Sequence, residues 1–317
     1  MSEQVSKLSE ISLIARNYGD GIVLEDVLND WFEFLGGKPG EVIIVDAGSN
    51  AETLDVYWKL YKQGMIDKIQ FIHPDHDERK HHLGFVQIYR AGAIATKPYV
   101  LWFNIDTLPY RKGHEGWLEE SLGYLDRDEV MSVGGSFNLP SKSHDAWDGW
   151  YYSYKCSLNF ALMKRTTFMA AMHEYAGDYI KSGFKGVNPA IVEYDSADRG
   201  RYILEIALER YIERHAVFTL CKVEDVNWTV FHTNLHEHRL KATREKYRVR
   251  KDVKRYMNVG FSDANPDPAK ALYYGHPPMP LARKLRIAFG KSQLGPFWRS
   301  VKHRWHYKPK MASFWFI

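Results

Sequence analysis

The chain has 317 residues, 45% of them hydrophobic and 26% charged, with a net charge of +4. That length and apolar content support one large domain or a domain with an appendage and exclude global disorder. Two cysteines, Cys156 and Cys221, are too few for a disulfide framework and lack zinc-site spacing, so they read as small buried residues of a reducing compartment.

In chain order, "ISLIARN" (11–17) predicts a strand and "VLEDVLNDWFEFLG" (23–36) an amphipathic helix closed by Gly36 and Gly37. "EVIIVDAGSN" (41–50) is a second strand ending at Asp46 and a turn. "AETLDVYWKLYKQG" (51–64) follows as a helix with Asn50 as its N-cap. "KIQFIHP" (68–74), a helix over 82–96 and "YVLWFNID" (99–106) continue the alternation. Strands separated by helices of this length imply βαβ units and a parallel sheet.

Farther on, 114–127 is helical, 130–138 strand-like, and 139–155 a loop-rich aromatic segment. "SLNFALMKRTTFMAAMHEY" reads as a short strand running into a helix, and 200–215 as a strong amphipathic helix. "VFTLCKV" and "NWTVFH" are short strands, and 236–258 is a highly charged helix, solvated or bridging.

No acidic residue follows Asp267, and nine Lys or Arg lie between Arg283 and Lys310, interleaved with aromatics up to Phe316. This break sets a boundary between a domain at 1–235 and a basic, aromatic extension at 236–317. The start lacks a basic leader with an apolar run, and no window approaches the roughly 18–20 apolar residues of a membrane span. The expected location is therefore cytoplasmic, peripheral at the inner face of the cell membrane. Each basic residue adds about 1 kcal/mol near an anionic leaflet, and Trp and Phe favour the interface. Packing of the tail on the domain or on a second subunit is the alternative. Nucleic-acid binding, the other reading of such a stretch, has no support upstream.

Two strand ends carry acids, Asp46 after "VIIV" and Asp106 after "VLWFN", and a parallel sheet places both at one edge. Ligands of open α/β sheets bind beyond the carboxyl ends of the strands. Asn104 and Asp106 lie two apart and can converge on one hard cation, Mg²⁺ or Mn²⁺, when phosphates supply its other ligands. Neither GxGxxG nor GxxxxGK[ST] follows a strand, so a diphosphate needs a cation instead of a glycine-rich cradle. Turn chemistry is the plain alternative for Asp46, Asn104 and Asp106. The "HPDHDERKHH" run (73–82) matches no zinc spacing and reads as a polar loop entering a helix.

The order of "ARNYGDG", "IIVDAGSN", "YVLWFNIDT", "SLNFALMKRTTF" and an acidic helix resembles the GT-A glycosyltransferases, especially the family 2-like inverting enzymes, over roughly residues 9–232. The resemblance implies a mostly parallel sheet flanked by helices and transfer of a sugar from a nucleoside-diphosphate sugar to a hydroxyl of a glycan, with inversion. The acceptor it suggests is a bacterial surface polysaccharide on a lipid carrier. Asp46 takes the place of the acid that meets the nucleotide base, and Ala15, Arg16 and Asn17 lie in the first nucleotide-binding segment. "NIDT" takes the place of the DxD motif: Asn104 stands where the first acid is expected, Ile105 between, and Asp106 remains as metal ligand. His232 is a further ligand by position.

The resemblance puts the general base at Glu205, where Leu204 replaces the acid that normally precedes it. Glu209 is the fallback, and Asp195 and Asp198 are rivals in the preceding loop. Glu205 otherwise reads as a solvated charge of a Glu- and Arg-rich helix, and His232 as a structural histidine. Asn159, in the stretch that lines donor sugar and acceptor, joins Trp147 and Trp150 as acceptor-site candidates, the tryptophans by stacking on sugar faces or simply by packing. Two other classes remain open: a nucleotidyltransferase on a related sheet, for which only Arg16 supplies a basic residue after the first strand, and a degenerate glycan-binding protein, which the Asn104 and Leu204 departures permit.

Overall fold

The computed structural model describes residues 7–72, 80–135, 143–195, 203–223, 227–233 and 235–250, with positions 281 and 285 beyond them. The elements are β1 (Ile11–Asn17), α1 (Gly21–Leu35), β2 (Glu41–Asp46), α2 (Ala51–Lys62), β3 (Lys68–Phe71), α3 (Lys80–Ile94), β4 (Tyr99–Asn104), β5 (Thr107–Arg111), α4 (Trp117–Leu125) and β6 (Val130–Gly135). There follow β7 (Ser143–Trp147), β8 (Trp150–Ser153), β9 (Phe160–Lys164), α5 (Arg165–Lys181), α6 (Pro189–Asp195), α7 (Ile206–His215), β10 (Phe218–Lys222), β11 (Trp228–His232) and α8 (Glu237–Arg250).

A nine-stranded sheet has the order β3-β2-β1-β4-β9-β6-β10-β8-β7, and β11 with β5 forms a separate ribbon. Within the nine-stranded sheet β9 is antiparallel to both β4 and β6, and β8 to both β10 and β7, while the other pairings are parallel, so seven of its nine strands run in one direction. The sheet is thus mostly parallel, flanked by helices on both faces, as the sequence implies.

Alternation along each strand feeds two cores. Leu13, Ala15, Val42, Ile44, Leu101 and Phe103 point into the core under α1, α2 and α4. Ile14, Ile43, Val45, Val100 and Trp102 point into the one under α3, α5 and α7. This period of two, with apolar residues on both faces, is why the strands read as continuous hydrophobic runs. Trp31 and Phe34 of α1 pack with Phe103, Trp117, Phe160 and Trp228, with ring centroids 5.1–6.0 Å apart in their pairings. Such edge and tilted pairs add about 0.5–1.5 kcal/mol each beyond their burial.

Caps follow the expected chemistry. The Asn50 side chain accepts from Thr53 N at 3.0 Å, and Gly36 closes α1 with a φ of 86° that a side chain would oppose.

Three expectations are corrected. Residues 143–153 are not loop but a hairpin, turned at Asp148 and Gly149. The helix expected over 200–215 is formed from Ile206, which leaves Glu205 at its N-cap. The charged helix α8 is not merely solvated: it buries Leu240 and Arg244 against α1, and Arg244 pairs with Asp30 and donates to Thr107 O at 3.0 Å. The tail beyond α8, most of the 73–82 run and Asp198 lie outside the described residues. Among the described residues, no helix is long and apolar enough to cross a membrane.

Candidate active site

A cavity of about 780 Å³ opens at the carboxyl rim of the sheet, lined by the loop after β1, the turn after β4, Asn159, Glu205, His232 and the start of α8. Strand register dictates its floor. Arg16 of β1 lies opposite Asn104 of β4. Phe103 pairs with Phe160, so Asn159 falls opposite Asn104 one step farther on. In the β5–β11 ribbon, His232 pairs with Thr107, which carries its ring beside Asp106.

The polar side chains join accordingly. Arg16 donates to Asn104 Oδ1 at 2.9 Å, and Asn104 Nδ2 donates to Asn159 Oδ1. Asn159 Nδ2 lies 3.4 Å from His232 Nδ1, and His232 Nε2 lies 3.1 Å from Asp106 Oδ2. The backbone carbonyl of Asp106 accepts from Thr233 N at 2.9 Å and from Thr233 Oγ1 at 2.8 Å, which locks the turn to the segment after β11.

Glu205 lines the same cavity beside the Asn159 segment, its Oε1 accepting from Leu158 N at 2.8 Å. Burial pushes its carboxyl up to about 7; Leu158 N–H and the Ser157 side chain oppose the shift, and the negative charge of Glu209 adds to it. Glu209, one turn later, is buried and does not line the cavity. Of the two carboxylates named from the sequence, Glu205 is the one that faces the open space.

Several sequence candidates sit elsewhere. Ala15 is wholly buried in the core. Asp46 is 2% exposed and does not line the cavity; its Oδ2 accepts from Gly48 N and Ser49 N at 2.8 and 2.9 Å, and its Oδ1 accepts the Tyr57 hydroxyl. It reaches the cavity lining indirectly, through Tyr57 to Asn17, whose Nδ2 donates to Tyr57 Oη at 2.7 Å, and through Ser49, whose Oγ accepts from Gly19 N at 2.9 Å. Trp150 is buried and donates to Glu120 at 3.0 Å. Trp147 stacks on Tyr124 at 5.1 Å with Arg127 over its ring at 4.7 Å. Both tryptophans pack at the sheet edge, away from the cavity, whereas Asn159 lines it.

Six lining residues are not among the sequence candidates: Tyr18, Gly19, Asp20, Gln87, His236 and Glu237. Asp20 accepts from Glu237 N at 2.7 Å and bonds His236 Nδ1 at 3.0 Å, tying the loop after β1 to the start of α8. The Asp20 carboxylate raises the His236 pKa above its ordinary value. The only sequence signal was the "YGDG" turn before α1.

As a cation site the set is unequal. Among the described residues no cluster of three or more His, Cys, Asp and Glu side chains forms. Asn104 turns its oxygen to Arg16 and His232 turns Nε2 to Asp106, so Asp106 is the donor that fits a hard cation whose other ligands are phosphate oxygens.

No family model and no curated protein matches the chain. Solved structures do resemble it. A mannosyltransferase, PcManGT from Pyrobaculum calidifontis, in complex with GDP-Man and Mn²⁺, is 15% identical with a TM-score of 0.41 over 92% of this chain and 83% of that one. A UDP-glucose pyrophosphorylase complexed with UDP-glucose is 10% identical with a TM-score of 0.46 over 75% of this chain and 98% of that one. The fold assignment rests on the strand order and pairing above, which give the mostly parallel sheet flanked by helices that the GT-A resemblance implies.

Proposed function

We propose that the chain is a glycosyltransferase that moves a sugar from a nucleoside-diphosphate sugar to a hydroxyl of a glycan acceptor. The observation that carries this reading is Glu205: a residue lining the cavity, its carboxyl brought by burial to about 7, in the same cavity as the Asn104–Asp106 turn at the carboxyl rim. A general base works best with a pKa near the operating pH. Glu205 takes the proton of the acceptor hydroxyl as that oxygen bonds to the anomeric carbon. The glycosidic bond to the diphosphate breaks on the opposite side, and the configuration inverts. Arg16 and His236 line the same cavity and supply positive charge to the departing diphosphate. A divalent cation accompanying the donor would take Asp106 and phosphate oxygens and would add to that neutralisation.

The acceptor in this reading is a growing bacterial surface glycan on a lipid carrier, and the basic, aromatic stretch beyond α8 would hold the enzyme at the inner face of the membrane. Deletion beyond residue 280 is then expected to weaken binding to anionic vesicles more than donor hydrolysis; equal vesicle binding removes the anchor. Incubation with a panel of nucleotide sugars, Mn²⁺ and glycan acceptors tests the main claim. Transfer with release of nucleoside diphosphate supports it, and release of nucleoside monophosphate or pyrophosphate exchange makes the protein a nucleotidyltransferase. Glycan binding without turnover makes it a binding protein.

A further inference from the structure

The hydrogen bonds across the cavity floor have a direction that can be derived from one end. A guanidinium carries donors and no acceptor. Arg16 therefore requires an oxygen from Asn104, and the Asn104 oxygen stands 2.9 Å from Arg16 Nη2. With its oxygen committed, Asn104 turns its amide N–H₂ to Asn159, which must answer with its own oxygen. Asn159 then has only N–H₂ to present to His232 Nδ1. An imidazole nitrogen facing a donor must be the one that carries a lone pair. The ring proton is left on Nε2, which stands 3.1 Å from Asp106 Oδ2.

Flipping Asn159 alone would set its N–H₂ against the Asn104 N–H₂, flipping Asn104 alone would set oxygen against oxygen and its N–H₂ against Arg16, and flipping both would still set the Asn104 N–H₂ against Arg16. The strand register holds the participants in this order: Arg16 opposite Asn104, Asn159 one step beyond the Phe103–Phe160 pair, and His232 opposite Thr107. Asn159 is 8% and Asp106 7% exposed, so water has little room to substitute for a missing partner.

We propose that Arg16 is a positioning residue for Asp106: through Asn104 and Asn159 it fixes His232 as the Nε2–H tautomer. The imidazole then donates to Asp106, holding that carboxylate toward the cavity, and has no lone pair on the nitrogen that faces it. His232 thereby drops out of the ligands of any cation that arrives with the donor, leaving Asp106. Only this consequence for a cation rests on the proposed transfer reaction; the tautomer itself does not.

The experiment is two-bond ¹H–¹⁵N correlation on protein labelled at histidine, at pH 8, with the His232 ring assigned by comparison with His232→Gln. The expected spectrum of the native protein places the proton on Nε2. Arg16→Met is expected to yield a mixture of tautomers, and Arg16→Lys, which again offers only donors, to restore one. In Asn159→Asp a carboxylate replaces the amide, accepts from both neighbours and demands a proton on His232 Nδ1 in addition to the Nε2 proton that Asp106 accepts, so the ring signature is expected to change from that of the native Nε2–H tautomer. A native ring protonated on Nδ1 overturns the proposal, as does an Asn159→Asp ring unchanged from the native one. Should Asn159→Asp not fold, the native and Arg16→Met spectra decide. A single Nε2–H tautomer in a protein that turns over no nucleotide sugar leaves the relay standing and removes the transferase.

Discussion

Tyr57 donates its hydroxyl to Asp46 Oδ1 at 2.8 Å, and Asn17 donates to the same hydroxyl at 2.7 Å. The carboxylate at the end of β2 thus holds α2 to the first cavity loop through one phenol. Burial and the Asp46 charge together keep that phenol protonated. Tyr57→Phe leaves Asp46 Oδ1 and Asn17 Nδ2 short of a partner and is expected to cost about 1–3 kcal/mol in urea unfolding. Asp46→Ala, which also strips the acceptor from Gly48 N and Ser49 N, should cost more. If Asp46 additionally meets a nucleotide base, as the GT-A resemblance implies, a folded Tyr57→Phe protein retains nucleoside diphosphate affinity in thermal-shift titration while melting earlier.

Glu205→Gln keeps the shape of the side chain and its acceptor oxygen for Leu158 N but cannot take a proton. Donor binding should survive, and transfer should fall by about 10²–10⁴, the usual worth of a general base. In the native enzyme, kcat/KM should rise with pH through about 7, the value to which burial brings this carboxyl. Near-normal turnover in the Gln variant would transfer the role to Glu209 or to Asp195.

The same shift has a consequence for stability. The Glu205 pKa rises from 4.5 to about 7 on folding, so between those values the folded chain holds a proton that the unfolded chain has released. The contribution is fully present below 4.5 and is lost as pH rises through 7. Glu205→Gln is therefore expected to gain on the native protein between pH 5 and pH 8 in urea midpoint. A native protein that loses no stability relative to Gln over that interval would contradict the burial of this charge.

His236 carries the same sign in a higher window. Its pKa is raised, chiefly by the hydrogen bond to Asp20, so its contribution is present below 6.5 and disappears as pH passes the raised value. The ring is largely exposed, which keeps the effect small. His236→Asn should flatten that part of the melting profile. Hydrogen exchange of α8 amides then reports whether the Asp20 contact docks the helix, with faster exchange expected in the variant at pH 6 and little difference at pH 9.

Local chemistry made the scaffold legible. Strands buried on both faces show as apolar runs, and Asn50 and Gly36 announce their caps. The Asp148–Gly149 pair between aromatic flanks is an equally local hairpin signal, obscured by the polar and small residues that give 139–155 the composition of a loop. β5 was not legible: it contains Pro109, and its partner β11 lies more than a hundred residues away. The site was half legible for the same reason. Asp106 stands out by type and position and Glu205 through the GT-A resemblance alone, but the Asn104–Asn159 and Asn159–His232 contacts span 55 and 73 residues and exist only once the register is set. Asp46 points the other way: its strand-end position suggested a ligand, and the turn and Tyr57 take its oxygens.

Gly84 of α3 offers a way to move Glu205 without touching the cavity. A Cβ there would overlap Leu204 Cδ2, and Leu204 is the buried neighbour that precedes Glu205. Alanine favours the helix by up to about 1 kcal/mol over glycine, which offsets part of the crowding. Gly84→Ala is therefore expected to fold with nearly native stability and to lower kcat, with the donor KM little changed, because the displaced Leu204 shifts the carboxyl relative to the acceptor hydroxyl. Leu204→Ala removes the overlapping atoms. The double variant Gly84→Ala, Leu204→Ala should recover kcat relative to Gly84→Ala alone, and strict additivity of the two losses would show that the helix does not position the base.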